Sequence, residues 1–134
     1  MANTAVFKTF AVIQHIPDRN LWHVAQPLVF EGEVNFTVPD GFETDLASVP
    51  RIGWFLIPHA DKHIVEGSII HDYMYAGNVP AVTKRSQADR ILREACKAMG
   101  APAWYCWIVW AGVRIGGSSA WNNDHSATIA SEKK

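Results

Sequence analysis

The segment Ile69-Ile70-His71-Asp72-Tyr73-Met74-Tyr75 brings an imidazole, a carboxylate and two phenols together. On a helix Tyr75 follows His71 by one turn, so those two rings share a face. Asp72 is rotated from His71 by about 100° and is free to serve a different centre. A second carboxylate, Asp89, lies on the next helical stretch, at the margin of its apolar stripe beside Leu92 and Cys96. If the two helices pack antiparallel across the short 77–82 turn, Asp89 approaches the His71 face. A carboxylate placed there holds one imidazole nitrogen, fixes the tautomer and leaves the other nitrogen as a base. Tyr75 donates to the same carboxylate in this arrangement, and Asp72 is a hard oxygen ligand suited to calcium or magnesium. The plainer alternative makes His71 a satisfied core histidine and Asp89 an ordinary salt-bridge partner of Arg85 or Arg93.

The stretch Thr44–Arg51 offers further candidates, Thr44, Asp45, Ser48 and Arg51. Asp45 is read either as another carboxylate near His71, serving as metal ligand or charge partner, or as an Asx-type turn residue. In the second case Ser48 caps the bend before Pro50. His59 and His63 stand four apart at the start of the first helical stretch, where Asp61 and Lys62 indicate a solvated end rather than a metal site. Cys96 and Cys106 read as small core residues. Gly116-Gly117-Ser118-Ser119 lacks a following lysine and reads as a helix stop, not a phosphate cradle.

The elements that must position these groups change character near residue 58. Before it, runs rich in Val, Phe and Thr (Val6–Gln14, Leu21–Phe30, Val34–Val38) are separated by turn-forming clusters, which suits an antiparallel meander. Pro27 inside the second run indicates an edge or a bulge. After it the period is helical. Asp61 is placed to cap a helix to about Tyr75, with Gly77 just past its end. Thr83 is placed to cap a second helix ending before Gly100, along which Ala88, Ile91, Leu92, Ala95 and Met99 form a buried stripe. Pro102 suits the first turn of a third helix to about Ile115. Strands followed by helices predict an α+β fold: an N-terminal antiparallel β-meander, then about three helices, two of them an antiparallel pair carrying the His71 and Asp89 motifs. One domain over residues 1–121 and a polar tail over 122–134 follow.

With 134 residues the chain has room for a single hydrophobic core. Apolar residues at 49% and charged residues at 19% mark it as globular rather than disordered. The formal charge of −1 argues against a nucleic-acid partner, for which a basic stripe is expected. Two cysteines make no disulfide framework, which suits a reducing cytosol. The first ten residues carry no signal-peptide pattern. The longest apolar run, Ala103–Val113, falls short of the roughly 17–25 residues of a membrane-spanning helix.

Two resemblances add to this reading. His71-Asp72-x-x-Tyr75 followed by Asp89-Arg90 resembles the active-site pattern of phospholipase A2, over about Ile69–Ala95. That resemblance implies His71 as general base for water attack on a glycerophospholipid ester, Asp89 orienting it, Tyr75 in support and Asp72 binding Ca2+. The disulfides and the glycine-rich calcium loop of that family have no counterpart in this sequence. A second resemblance spans about Trp22–Trp121. The segment Pro39-Asp40-Gly41-Phe42-Glu43-Thr44-Asp45-Leu46-Ala47-Ser48-Val49-Pro50-Arg51, with the His-Asp-x-x-Tyr and Ala88-Asp89-Arg90 helices, is similar to a family of small bacteriophage and prophage proteins of unknown function. It implies a phage origin, with the host cytoplasm during infection or the virion as location.

The third helix carries Trp104, Trp107 and Trp110 on more than one face. Packing against the strands is the default expectation for them. The alternative is a surface for a second copy, another virion protein or a lipid interface. With Arg114 the lone basic residue in its body, protein contact is favoured over lipid contact. Two functions from different classes result: a small metal-assisted hydrolase built on His71 and Asp89, or a non-enzymatic virion or assembly protein in which the same residues form a buried polar network.

Overall fold

Pro27 cannot donate to a sheet ladder, and the run that contains it is split at that point. In a computed structural model, which describes residues 5–18, 21–44, 63–116 and 121, the strands are β1 (Val6–Phe7), β2 (Ile13–Ile16), β3 (Leu21–Val24), β4 (Leu28–Glu31), β5 (Phe36–Val38) and β6 (Glu43–Thr44). All pairings are antiparallel, but they do not form one continuous meander. Two three-stranded sheets result, in the orders β1-β4-β5 and β2-β3-β6.

The chain changes sheet at matching places in the two long apolar runs. Between β1 and β2, the Thr9 hydroxyl donates to the Pro27 carbonyl at 2.9 Å and accepts from the Val29 N–H at 2.9 Å. Thr9 thus ties the first break to the second, and the N–H of Ala25 donates to the Val12 carbonyl across the same step. Gly41 makes the third crossing, from β5 to β6, at φ 87, a left-handed conformation that favours glycine. Its N–H donates to the Val24 carbonyl at 2.6 Å, setting β6 beside β3.

The helices are α1 (Val65–Tyr75), α2 (Arg85–Ala98) and α3 (Ala103–Gly116). Helix α1 begins after Ile64, without a side-chain cap; the expected cap, Asp61, lies outside the described residues. At its other end Gly77 takes φ 82, as its position past the last apolar residue predicts. Helix α2 starts one residue later than expected, with Lys84 at its N-cap. Thr83 contributes its backbone instead of its hydroxyl, its N–H donating to Gln87 Oε1 at 3.2 Å.

The expected stripe of α2 is buried at Ala88, Ile91, Leu92 and Ala95, with Met99 half-buried. It serves two apolar clusters rather than one core. Ile91, Ala88 and Ala95 join α1 (Ile69, Ile70, Met74) to strand residues Val24, Leu28, Phe30 and Val38. Leu92 and Cys96 join Tyr105, Cys106, Val109 and Val113 of α3. Helix α3 therefore packs on α2, not on the strands, and Trp104 and Trp107 face outward, contrary to the core-packing expectation. No described helix is long and apolar enough to cross a membrane.

Candidate functional site

Gly67 permits the helix contact that builds the site. A Cβ at this position would lie 2.9 Å from Leu92 Cδ1, with Ala95 and Cys96 close behind, so the fully buried Leu92 side chain would have to shift. Further along α1, His71 and Tyr75 meet Asp89 of α2. Ascending α1 thus descends α2, and the expected antiparallel pairing brings the two motifs together.

The His71 Nε2 lies 2.8 Å from Asp89 Oδ1, and the Tyr75 hydroxyl donates to the same oxygen. A carboxylate only accepts, so the ring hydrogen facing Asp89 sits on Nε2, and the neutral ring carries its lone pair on Nδ1. That Nδ1 is buried and has no hydrogen-bond partner among the described residues. The imidazole is packed 4.0 Å, centroid to centroid, from the Tyr75 ring, which in turn meets Trp121 edge-on at 5.2 Å.

The other oxygen of Asp89 faces cations. Arg114 Nη1 donates to Oδ2 at 2.9 Å, and Arg85 Nη1 lies 3.6 Å from it. Arg85 also donates to the carbonyls of Val113 and Arg114, at 3.1 and 3.3 Å, and so clasps the last turn of α3. Asp89, expected to be half-buried, is 0% exposed, and His71 is 2% exposed. The carboxylate reaches this depth because its charge is matched from two helices. Burial pushes its carboxyl up. The hydrogen bonds from His71, Tyr75 and Arg114 outweigh that and hold it below the ordinary carboxylate range. Burial first, then the hydrogen bond and charge of Asp89, raise the Tyr75 phenol and keep it neutral.

Arg114 is the member of this cluster that sequence reasoning missed. Its signal was present, since a lone guanidinium in a helix as apolar as α3 must find a partner. Arg85 entered only as a plain salt-bridge partner, and it holds that position together with His71 and Tyr75 rather than in their place.

Asp72 points to a different centre, as its helical rotation predicts. Its Oδ2 accepts from the Thr44 hydroxyl, which β6 presents in buried surroundings. Asp45, Ser48, Arg51 and His59 lie outside the described residues. Among the described residues no group of three or more His, Cys, Asp or Glu side chains is arranged to hold a metal ion. Among the described residues, Asp72 and Thr44 supply two of the roughly six to eight oxygen ligands that Ca2+ takes.

Around this centre, side-chain bonds fix the helices to the segments that link the strands. Glu66, in the first turn of α1, accepts from the Ala11 N–H at 2.9 Å. Arg90, beside Asp89, makes a two-pronged contact with Glu33 at 2.8 and 2.7 Å.

No curated protein and no solved structure matches the chain. A family described as a protein of unknown function, DUF1353, matches residues 22–113, a span holding β3 to β6, the His71–Asp89 pair and most of α3. The chain belongs to the DUF1353 family.

Proposed function

We propose that this protein is a small hydrolase in which the His71–Asp89 pair activates water for attack on an ester, in the manner of the phospholipase A2 pattern its helices resemble. One observation carries the reading. Asp89 anchors His71 through Nε2, while Nδ1 is left without a hydrogen-bond partner among the described residues. A buried polar atom without a partner costs about 1–3 kcal/mol, and a network serving stability alone has no reason to keep that cost.

In this mechanism Nδ1 takes a proton from a water molecule as its oxygen bonds to the ester carbonyl carbon. The imidazolium formed is stabilised by the Asp89 carboxylate. When the tetrahedral intermediate collapses, the ring returns that proton to the departing alkoxide, giving an acid and an alcohol. Tyr75 and Arg114 keep Asp89 charged and oriented throughout. His71, Asp89, Tyr75 and Arg114 supply every protein group these steps use.

A second reading rests on a different observation, the 2% exposure of His71 and 0% exposure of Asp89. Here the cluster is a structural network that fixes helix pairing in a phage virion or assembly protein. Loss of stability on removing His71 is common to both readings, because the pair is buried. Turnover separates them. Wild type and His71→Ala are compared on mixed phospholipid vesicles and on a water-soluble ester, with Ca2+ and with a chelator. The hydrolase reading expects release of acid by wild type and a loss of about 10²–10⁴-fold in the variant. Identical rates in the two proteins would leave the structural reading in place.

A further inference from the structure

We propose that the outward face of α3 is an interface between two copies of this chain. This goes beyond the hydrolase reading and does not depend on it, since its test measures association and not turnover.

Trp104, Trp107, Ala111 and Ile115 follow one another at three- and four-residue steps and line one face of α3. Tyr105, Cys106, Val109 and Val113 occupy the opposite face and are buried against α2. The outward stripe includes three of the large apolar side chains the structure leaves exposed: Trp104 at 61%, Trp107 at 52% and Ile115 at 79%. A contiguous apolar stripe of this kind marks an association surface rather than ordinary surface.

Its surroundings indicate the occupant. Arg93 of α2 lies over the Trp107 ring at 4.1 Å and 5.7 Å from that of Trp110, and its Nη2 is 3.9 Å from Glu94 Oε1. Lys97, exposed one turn on from Arg93, completes a border of two cations and one acid. An anionic bilayer surface calls for roughly four to eight clustered Lys or Arg. This border instead carries both signs, with one net positive charge. A two-fold axis lets Glu94 of each copy meet Lys97 of the other, the reciprocal pairing of an isologous interface.

A cavity of about 260 Å³ lies beside the stripe, lined in part by Arg93, Lys97, Cys106 and Trp107. It is smaller than the roughly 300–1,000 Å³ of drug-sized ligand pockets. That size suits one inserted side chain, and an indole placed against Arg93 gains a cation–π contact. Knob and hole therefore occur on the same patch, the condition for self-complementarity.

The test is sedimentation velocity of the full chain from low to high micromolar concentration, with circular dichroism confirming that each variant is folded. Wild type is expected as a concentration-dependent dimer. Trp107→Ala should raise the dissociation constant about tenfold or more. Lys97→Glu should weaken the dimer and the Glu94→Lys/Lys97→Glu exchange restore it, while Phe10→Ser, an exposed aromatic outside the patch, should leave it unchanged. A wild-type chain that stays monomeric at every concentration, or a dimer indifferent to Trp107→Ala and to Lys97→Glu, overturns the proposal. So does a monomer that binds phosphatidylglycerol vesicles through Trp104 and Trp107.

Discussion

At neutral pH the buried Asp89 carboxylate keeps its charge because His71, Tyr75 and Arg114 supply the hydrogen bonds that water would otherwise provide. Its carboxyl is held below the ordinary range, so folding favours the ionised form. The resulting stability is fully present above the unfolded-state value, near pH 4. It is lost as pH falls through the lower folded-state value. Urea titrations from pH 6 downward should therefore show wild type weakening below about pH 4. Asp89→Asn, already destabilised at pH 6, should show a shallower acid slope. An identical slope in the two proteins would mean that Asp89 is not the group responsible. Arg114→Met should cost about 1–2 kcal/mol, between the roughly 0–1 of an exposed pair and the roughly 3–5 of a fully buried one, because Arg114 is 31% exposed and Arg85 stays beside the same oxygen. Arg90→Ala removes an exposed pair with Glu33 and should cost no more than about 1 kcal/mol in the same titration. At this scale helical spacing, given an antiparallel pairing of the two helices, made the approach of His71 and Tyr75 to Asp89 and the separate position of Asp72 legible. The partnership of Arg114 was not. Its partner lies on another helix, and helical period says nothing about which helices face each other.

At the scale of elements, the α1–α2 contact at Gly67 sets the distance between the imidazole and the carboxylate. Gly67→Ala gains about 1 kcal/mol of helix propensity. It loses about 1–3 kcal/mol to overpacking against Leu92. A net loss of about 1 kcal/mol is expected in chemical denaturation, which the gain alone would not give. The cost should shrink in a Leu92→Ala background, where the clashing methyl is gone; strict additivity of the two changes would contradict the contact. The helices were readable in the sequence because period, glycine stops and Pro102 agree on them. The strands were readable only as apolar runs. Thr9 and Pro27 divide those runs between two sheets, and a pattern of alternation cannot show which strand pairs with which.

For the whole molecule, α2 is the shared wall between two apolar clusters, one holding the strands and α1, the other holding α3. This explains why α3 is apolar on all sides yet leaves tryptophans outside. Only one of its faces meets α2, and composition cannot distinguish a helix buried all round from one waiting for a partner. It also explains the reach of the site across three helices. Asp89 stands on α2 between His71 and Tyr75 of α1 and Arg114 of α3, so the charge network crosses from one cluster to the other.

The central claim is that the free nitrogen of His71 works on water. The initial rate of acid release from phospholipid vesicles, wild type against a folded His71→Ala protein, tests it most directly. The account predicts measurable release by wild type and a fall of at least about 100-fold in the variant. Equal rates in the two proteins, or none in wild type on either class of ester, would contradict it.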